Sequence, residues 1–429
     1  MRTTSARSEN GFNEWKGDSM SSRESPAPSA SALVWIAVAL SLPLPWTLQT
    51  LMGGFHFVPE IAAPLTGIAI LGAAFLLSWA TELAERDIPQ ALALLILALV
   101  SVLPEYAVDV TFAIKAAHNP EWLQYPVANM TGANRLLIGF GWSSVVLVSC
   151  WRRREADLVI PVHHRLEMKY LLLSTLYSFV IPLREYLPLP ETMKGLNLFD
   201  AAVLFAIFIG YARAASRGHR EEVELVGPAQ WIGARTNRNG RRVVSALLLV
   251  YATASIFFAA SPFAESLVEL GHHLPIDEFV LVQWVAPLAS ESPEFLVALL
   301  FAWRLRGHVG IGTLISSKVN QWTLLVGALP VAFAAASGAL IPLPLDARQT
   351  EELFLTSAQS LLAALLIVDL EFSRLEAVLL AAVFSVQLFF TEAAVRTSFA
   401  LLYTFMFVAL MVASPERRSA FVAALRYKG

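Results

Sequence analysis

Two short stretches, Ser101-Val-Leu-Pro-Glu105 and Ser290-Glu-Ser-Pro-Glu294, place an acid beside a proline inside long apolar runs. A proline within a helix removes one backbone donor and frees the carbonyl four residues earlier, which here belongs to Val100 and Ala289. Each stretch therefore brings a carboxylate, a hydroxyl and an unpaired carbonyl together. Because charged groups at bilayer depth are costly, two such sets of oxygen ligands indicate a functional site.

The composition is that of an integral membrane protein. Of the 429 residues, 56% are hydrophobic and only 15% are charged, which is too apolar for a soluble protein of this length. Successive apolar runs of spanning length predict an all-α, multi-pass fold of about 12 transmembrane helices. The single cysteine, Cys150, excludes an internal disulfide.

The order of apolar and polar segments predicts two halves with a single helix on either side. Residues 1–30 are expected to form a disordered cytoplasmic tail, and 31–60 a flanking transmembrane helix and loop. Residues 61–212 and 243–392 are expected to form two five-helix repeats, joined by a basic cytoplasmic linker at 213–242. Residues 393–429 would add a flanking transmembrane helix and a cytoplasmic tail. Since each repeat has an odd number of spans, the second must be inverted relative to the first.

Basic residues are concentrated in alternate loops. Residues 151–169, 213–242, 304–308 and 417–428 hold most of the Lys and Arg, which places these segments and the amino terminus in the cytoplasm. The arginine-rich linker could in principle bind nucleic acid. Its position between two spans is explained by membrane orientation alone, so we expect no nucleic-acid partner.

A second polar stretch follows each acidic one: Val127-Ala-Asn-Met-Thr-Gly-Ala-Asn134 in the first half and Gly310-Ile-Gly-Thr-Leu-Ile-Ser-Ser-Lys318 in the second. Small residues let helices approach closely, and amides and hydroxyls can coordinate an ion. Inverted repeats in secondary transporters surround a site near the bilayer midplane. We therefore expect the helices carrying Glu105 and Glu294 to face each other there.

With these paired stretches the chain resembles the calcium/cation antiporter superfamily, the sodium/calcium exchanger-like membrane proteins. Their repeats carry a Thr-Ser-x-Pro-Glu-like stretch followed by a Gly-Asn-x-x-Gly-Ser-Asn-like one, and the likeness covers residues 78–142 and 263–330. The resemblance implies a site for sodium, calcium or protons. It assigns the family's acids, hydroxyls and first-repeat asparagines to Glu105, Glu294, Ser101, Ser290, Asn129 and Asn134.

The chain departs from the family pattern at several of these positions. Thr313 and Lys318 stand where the second repeat would have asparagines, and Arg135 directly follows Asn134. Asp109 lies one turn after Glu105 and Glu291 one turn before Glu294, so each pair shares a helix face. The candidate ligand set is Glu105, Glu294, Ser101, Ser290, Asn129, Asn134, Thr313, Glu291, Asp109 and Lys318.

The charge of this set leaves two interpretations open. If four acids face two bases and all are ionised, two negative charges remain, which one divalent or two monovalent cations would neutralise. Alternatively, the acids take up protons or form salt bridges with Arg135 and Lys318. A fixed ammonium at Lys318 would favour protons or monovalent cations over calcium.

We therefore expect a secondary active cation antiporter of the sodium/calcium exchanger type, which moves Na+, Ca2+ or another cation against H+ or Na+ by alternating access. The alternative is a proton-coupled transporter of a non-calcium substrate, with Lys318 and Arg135 compensating the acids. No nucleophile and base pairing, phosphate loop or metal-ligand spacing predicts an enzyme or a cofactor. The expected partners are transported cations and the lipid bilayer. The expected location is a bacterial inner membrane, and the oligomeric state is left open.

Overall fold

The computed structural model describes residues 31–54, 56–87, 102–217, 225–274, 276–388, 390 and 392–427. The helices of its first part are α1 (Ser31–Ser41), α2 (Leu44–Leu51), α3 (Pro59–Glu85), α4 (Leu103–His118), α5 (Tyr125–Leu136), α6 (Ser143–Arg153), α7 (Arg165–Ser178), α8 (Val180–Glu185) and α9 (Leu198–Ala215). The helices of its second part are α10 (Gly227–Arg235), α11 (Arg238–His273), α12 (Glu278–Trp303), α13 (Gly307–Asn320), α14 (Val326–Ser337), α15 (Ala347–Leu366), α16 (Arg374–Leu388), α17 (Ala393–Ala413) and α18 (Pro415–Arg426).

Nine helical segments of the described ranges are long and apolar enough to cross a bilayer: 31–51, 59–85, 120–153, 162–185, 198–215, 238–273, 278–303, 307–337 and 393–413. Three further predicted spans coincide with α4, α15 and α16. Of these, α4 and α16 are shorter as described, and α15 carries too many polar residues to qualify by composition. The predicted all-α, multi-pass membrane fold is confirmed, and the count of twelve stays a prediction.

Helix α3 stands near the start of the first half and helix α11 at the start of the second. These two long helices pack against each other in antiparallel orientation. Asp87, just after α3, accepts two hydrogen bonds from Arg241 at the start of α11, at 2.7 and 2.6 Å. At the other end, His273 and Glu60 lie 2.9 Å apart. The part of the predicted linker that the structure describes from residue 225 onward is largely helical. It contains helix α10 and the first turn of α11.

The helices that follow the acidic stretches share an irregularity. A π-helical segment at Leu137–Trp142 separates α5 from α6, and another at Gln321–Leu325 separates α13 from α14. Each begins three residues after Asn134 or Lys318, the last residues of the two polar stretches. Since π-helical turns are rare and recur at functional sites, their equivalent placement supports the comparison of the two halves.

Short backbone links join the halves at two places. Strands β1 (Asp157–Val159) and β2 (Glu371–Ser373) pair antiparallel, with Leu158 opposite Phe372. Elsewhere Leu196 and Leu343 form an isolated bridge. In the predicted topology, the two segments of each pair are loops on the same side of the membrane.

Helix α5 lies at the centre of the packing. All twelve of its residues are buried, and it packs against α12. The approach is so close that a Cβ on Gly132 would overlap the backbone carbonyl of Gln283. Gly310 of α13 likewise approaches the carbonyl of Ala298. The predicted role of small residues in close helix packing is therefore observed in both polar stretches.

The two proline stretches differ in local structure. Helix α4 is described from Leu103, so Pro104 occupies its first turn, where a missing N–H leaves no hydrogen bond unmade. Pro293 lies inside α12 and so does leave the carbonyl of Ala289 without its helical donor. Val100 and Ser101 lie outside the described residues.

Candidate cation site

Four carboxylates from the two halves gather where α4 meets α12. Glu105 lies in the first turn of α4 with Asp109 one turn later, and both are buried. Glu291 is fully buried on α12, and Glu294 follows on the same face, partly buried. Glu105 is within electrostatic range of the other three acids. The two acidic stretches therefore come together, as the sequence predicted.

Three of these acids accept a hydrogen bond from a neutral side chain of the helix that follows. Asn129 of α5 donates to Asp109 at 2.8 Å. Ser317 of α13 donates to Glu294 at 2.6 Å. Gln321, the first residue of the π-helical segment, donates to Glu291 at 2.9 Å and also faces Glu105. The polar stretches thus hold the acids in place without neutralising them.

Several buried oxygens of the site have no hydrogen-bond partner within the described part of the chain: Glu105 Oε2, Asp109 Oδ2, Glu291 Oε2, Asn129 Oδ1 and Gln321 Oε1. A buried carboxylate oxygen that no protein donor satisfies is costly unless it binds water, a proton or a cation. Among the described residues, no three His, Cys, Asp or Glu side chains converge as a metal-binding group. The acids therefore face one another at electrostatic distance and do not already surround a common point.

Lys318 is fully buried beside this group. Its Nζ donates to the backbone carbonyl of Asn134 at 2.9 Å and to the Asn134 side-chain Oδ1 at 2.6 Å. Among the acids, Glu291 interacts with it electrostatically. The ammonium is therefore held by oxygens of the first-half polar stretch, beside the acids.

Arg135 points away from the acids that the sequence suggested as its partners. It forms a buried salt bridge to Glu352 of α15 at 2.6 Å and lies 5.0 Å from the centre of the Trp284 ring. Glu352 also lies 3.8 Å from Arg396 of α17, which bonds Glu351 at 2.7 Å. These two arginines and two glutamates balance one another. The predicted balance of four acids against two bases is therefore replaced by four acids against Lys318 alone, which leaves three negative charges if all are ionised.

A family model described as sodium/calcium exchanger protein matches residues 62–216 and 244–392, well over half of the chain. The chain belongs to the sodium/calcium exchanger family. It is similar along 92% of its length to the crystal structure of an H+/Ca2+ exchanger, CAX, with 39% sequence identity, a TM-score of 0.85 and 97% of that chain covered. No curated protein sequence matches it.

Two more distant exchangers of known structure share the fold. The structure of native YfkE matches with 14% identity and a TM-score of 0.59, over 86% of this chain and 99% of that one. A structure of the sodium-calcium exchanger NCX_Mj matches with 17% identity and a TM-score of 0.50, over 82% of this chain and 99% of that one.

The structure does not bring the remaining predicted ligands into contact with the acids. Ser290 is buried, but its hydroxyl donates to Ala286 and Pro287 carbonyls of its own helix, at 3.3 Å each. Thr313 is exposed and donates to the carbonyl of Val309, so the structure does not bring it to the acids. Ser101 lies outside the described residues. The structure thus gathers Glu105, Asp109, Asn129, Asn134, Glu291, Glu294 and Lys318.

Two polar residues that contact the acids were absent from the predicted ligand set, Ser317 and Gln321. Ser317 directly precedes Lys318 within the polar stretch, and its hydroxyl was a recognisable signal. Gln321 lies one turn after Ser317, so α-helical spacing places both on the same face of α13 and its continuation. Extending the predicted ligand set along that helix face would have included Ser317 and Gln321.

Proposed function

We propose that this exchanger is a secondary active antiporter that moves Na+, Ca2+ or another cation against H+ or Na+ by alternating access between the two halves. Glu105, Asp109, Glu291 and Glu294 would supply the exchangeable negative charge. Asn129, Asn134, Ser317 and Gln321 would orient them. In this proposal the halves are inverted repeats that alternate around the carboxylate group.

The observation that carries the proposal is the set of buried carboxylate oxygens without a protein partner. Glu105, Asp109 and Glu291 each have one such oxygen, and they come from both halves. Asp200, by contrast, has both carboxylate oxygens occupied, by Arg184, Tyr177 and the Asn197 amide. Carboxylates whose oxygens are not taken by protein donors are able to bind a cation and release it for a proton.

Coupling to protons is supported by the most similar of the structures described above, since CAX is named as an H+/Ca2+ exchanger. A second candidate, proton-coupled transport of a substrate other than calcium, is supported by Lys318. Its buried amine lies beside Glu291, with which it interacts electrostatically. Arg135 no longer belongs to that alternative, because Glu352 neutralises it.

The proposal includes the setting of the protein. We infer that it is not an enzyme, that its partners are the transported cations and the bilayer, and that it resides in a bacterial inner membrane. The inference on location rests on the linker at 213–242, which leaves no room for a large regulatory domain between the halves.

The test is ion flux in proteoliposomes containing the purified chain. Sodium, potassium, calcium and proton gradients are imposed one at a time, and internal pH and internal cation are followed by dyes. We expect a cation gradient to drive protons, or sodium to drive another cation, in the opposite direction. If none of these gradients drives a second ion, the antiporter proposal is wrong.

A further inference from the structure

Trp322 connects the candidate cation site to α15, a helix that supplies none of the four acids. It lies in the π-helical segment that follows α13, and it is fully buried. Its indole Nε1 donates a hydrogen bond to the hydroxyl of Ser360 on α15, at 3.0 Å. The face of the same ring lies against the side-chain nitrogen of Lys318, whose Nζ is 5.1 Å from the ring centre. The indole therefore joins Ser360 to Lys318 through two different parts of one side chain.

Lys318 lies between two residues that hold acids of the site. Ser317, directly before it, donates to Glu294 at 2.6 Å, and Gln321, three residues after it, donates to Glu291 at 2.9 Å. Residues three apart share a helix face, so the side chain of Lys318 begins on the same face as that of Gln321. A lysine side chain is longer than that of a glutamine. The amine is therefore long enough to reach the carboxylate that Gln321 contacts.

The structure shows the amine bound on its other side, to Asn134 of the first half. Lys318 Nζ donates to the backbone carbonyl of Asn134 at 2.9 Å and to its Oδ1 at 2.6 Å. Meanwhile Glu291 Oε2 is buried without a hydrogen-bond partner among the described residues. The two Asn134 oxygens and the attraction of a lysine amine to an indole face both hold the amine where it is. The Glu291 oxygen is thereby left open to a transported cation.

Helix α15 is a firm support for the indole. Every residue from Leu355 to Leu366 is buried. On the same helix, Gln359 donates to the backbone carbonyl of Arg135 at 3.4 Å and so ties α15 to α5, the helix of Asn134. Helix α15 is thus bound to both elements that hold the Lys318 amine.

We propose that Trp322, anchored by Ser360, is a positioning residue that holds the Lys318 amine against Asn134 and so keeps it from competing with the transported cation for Glu291. The proposal rests on the antiporter function proposed above. When the anchor is lost, the amine spends part of the time on the Glu291 carboxylate, and a cation must displace it in order to bind. Such competition weakens the apparent affinity for the cation and leaves the maximal rate unchanged.

The test compares wild type with Ser360→Ala in proteoliposomes that contain the full chain. Initial rates of calcium and of sodium uptake are measured over a range of cation concentrations, so that KM and the maximal rate are obtained separately. We expect Ser360→Ala to raise KM about fivefold, which corresponds to the roughly 1 kcal/mol of one net hydrogen bond, and to keep the maximal rate. Trp322→Phe, which keeps a ring beside Lys318 but removes the N–H, should raise KM at least as much.

Ser357→Ala is the matched control on the same helix. The Ser357 hydroxyl is also buried, and it pairs with the hydroxyl of Ser178 at 2.7 Å. Its removal deletes a buried hydroxyl of α15 and leaves the bond to Trp322 intact. This variant should match wild type in KM.

The Lys318→Asn background separates positioning from a purely structural role. Without the amine, nothing in the chain competes with the cation for Glu291 in the proposed manner. Adding Ser360→Ala to Lys318→Asn should therefore leave the KM of Lys318→Asn unchanged. A loosened fold would raise KM equally in both backgrounds.

Each other result overturns the proposal. An unchanged KM in both Ser360→Ala and Trp322→Phe would show that the anchor does not control Lys318, while cation exchange by wild type leaves the antiporter function standing. Equal increases in KM with and without Lys318, or loss of the folded protein in both variants, would show that the indole only supports the fold. A wild-type protein that exchanges neither calcium nor sodium would instead remove the antiporter function, and this role of Trp322 with it.

Discussion

The Nζ of Lys318, in the second half, donates hydrogen bonds to two oxygens of Asn134 in the first half. It lies 2.9 Å from the backbone carbonyl oxygen of Asn134 and 2.6 Å from its side-chain Oδ1. The two residues end the two polar stretches and so occupy corresponding positions in the halves. A lysine ammonium therefore occupies a place where two facing amides would otherwise offer oxygens to an ion. The contact fixes the Lys318 amine beside the group of acids.

Replacing Lys318 by Asn should raise the affinity of the site for calcium. At an effective dielectric constant of about 20, two unit charges 4 Å apart interact by roughly 4 kcal/mol, and a divalent ion would experience about twice that repulsion. Binding calorimetry and calcium uptake, on wild type and Lys318→Asn together, measure the change. Lys194→Asn, at a partly exposed surface lysine, is the control. Tight calcium binding by wild type, or equal binding by both, would contradict the prediction.

Removing the charge of Glu105 or Glu294 should abolish coupled exchange while the protein still inserts and folds. Glutamine keeps the shape and one acceptor oxygen, so packing on α4 and α12 is retained. Flux in proteoliposomes and size-exclusion profiles in detergent are the measurements, and Glu371→Gln at an exposed strand position is the control. Full transport by both single variants would place the site elsewhere. Loss of the folded protein would show that these acids hold the helices together.

Breaking the Arg135 and Glu352 salt bridge should destabilise the protein far more than breaking an exposed one. Removing one partner of a buried pair typically costs about 3–5 kcal/mol, because the other charge stays buried. Glu352→Gln tests this, and Glu265→Gln is its counterpart, since Glu265 pairs with Lys115 but is half exposed and should cost about 0–1 kcal/mol. Unfolding in mixed detergent gives both values. Similar losses for the two variants would contradict the assignment of Glu352 as a buried partner.

The predicted orientation is tested by labelling single cysteines from outside sealed cells. Cys150 is buried and is replaced by serine to give a clean background. Arg235→Cys should remain unlabelled by an impermeant reagent until the membrane is opened, because the positive-inside rule puts its loop in the cytoplasm. A cysteine at His272 should be labelled at once. Labelling at position 235 from outside would reverse the topology.

Acid should weaken the contact between α3 and α11 at its Asp87 end. The hydrogen bonds from the Arg241 guanidinium lower the pKa of Asp87 below its ordinary value of 3.8. The contribution of this pair to stability is therefore complete above pH 3.8 and is lost as the pH falls through the lowered pKa of the folded state. Unfolding measured against pH in detergent should show this loss in wild type and not in Asp87→Asn. Asp157→Asn should keep the wild-type profile, and a profile that Asp87→Asn leaves unchanged would contradict the prediction.

The sequence was sufficient for the fold class and for the meeting of Glu105 with Glu294. Both follow from strong local signals, since apolar length determines spans and an acid beside a proline is conspicuous within them. Asp109 and Asn129 were also identified, because helical spacing places Asp109 on the face of Glu105 and the polar stretch contains few alternatives. These residues needed no knowledge of distant contacts.

The partners of Arg135 and the position of Thr313 could not be found this way. Arg135 directly follows Asn134 in sequence, but consecutive residues of a helix point in different directions. Its side chain therefore faces α15 and meets Glu352 instead of the acids. Thr313 and Lys318 lie five residues apart on α13, which turns them to different sides. Such facing depends on how the helices rotate against their neighbours, and apolar composition leaves that rotation undetermined.

The salt bridge between Arg135 and Glu352 also bears on how the protein is made. Glu352 is synthesised 217 residues after Arg135 (352 minus 135). At about 5–20 residues per second, roughly 10–40 s pass before the carboxylate emerges from the ribosome. During that interval α5 carries an unpartnered guanidinium, which opposes its transfer into lipid. The burial of Arg135 with its partner is therefore complete only after translation has passed Glu352, deep in the second half.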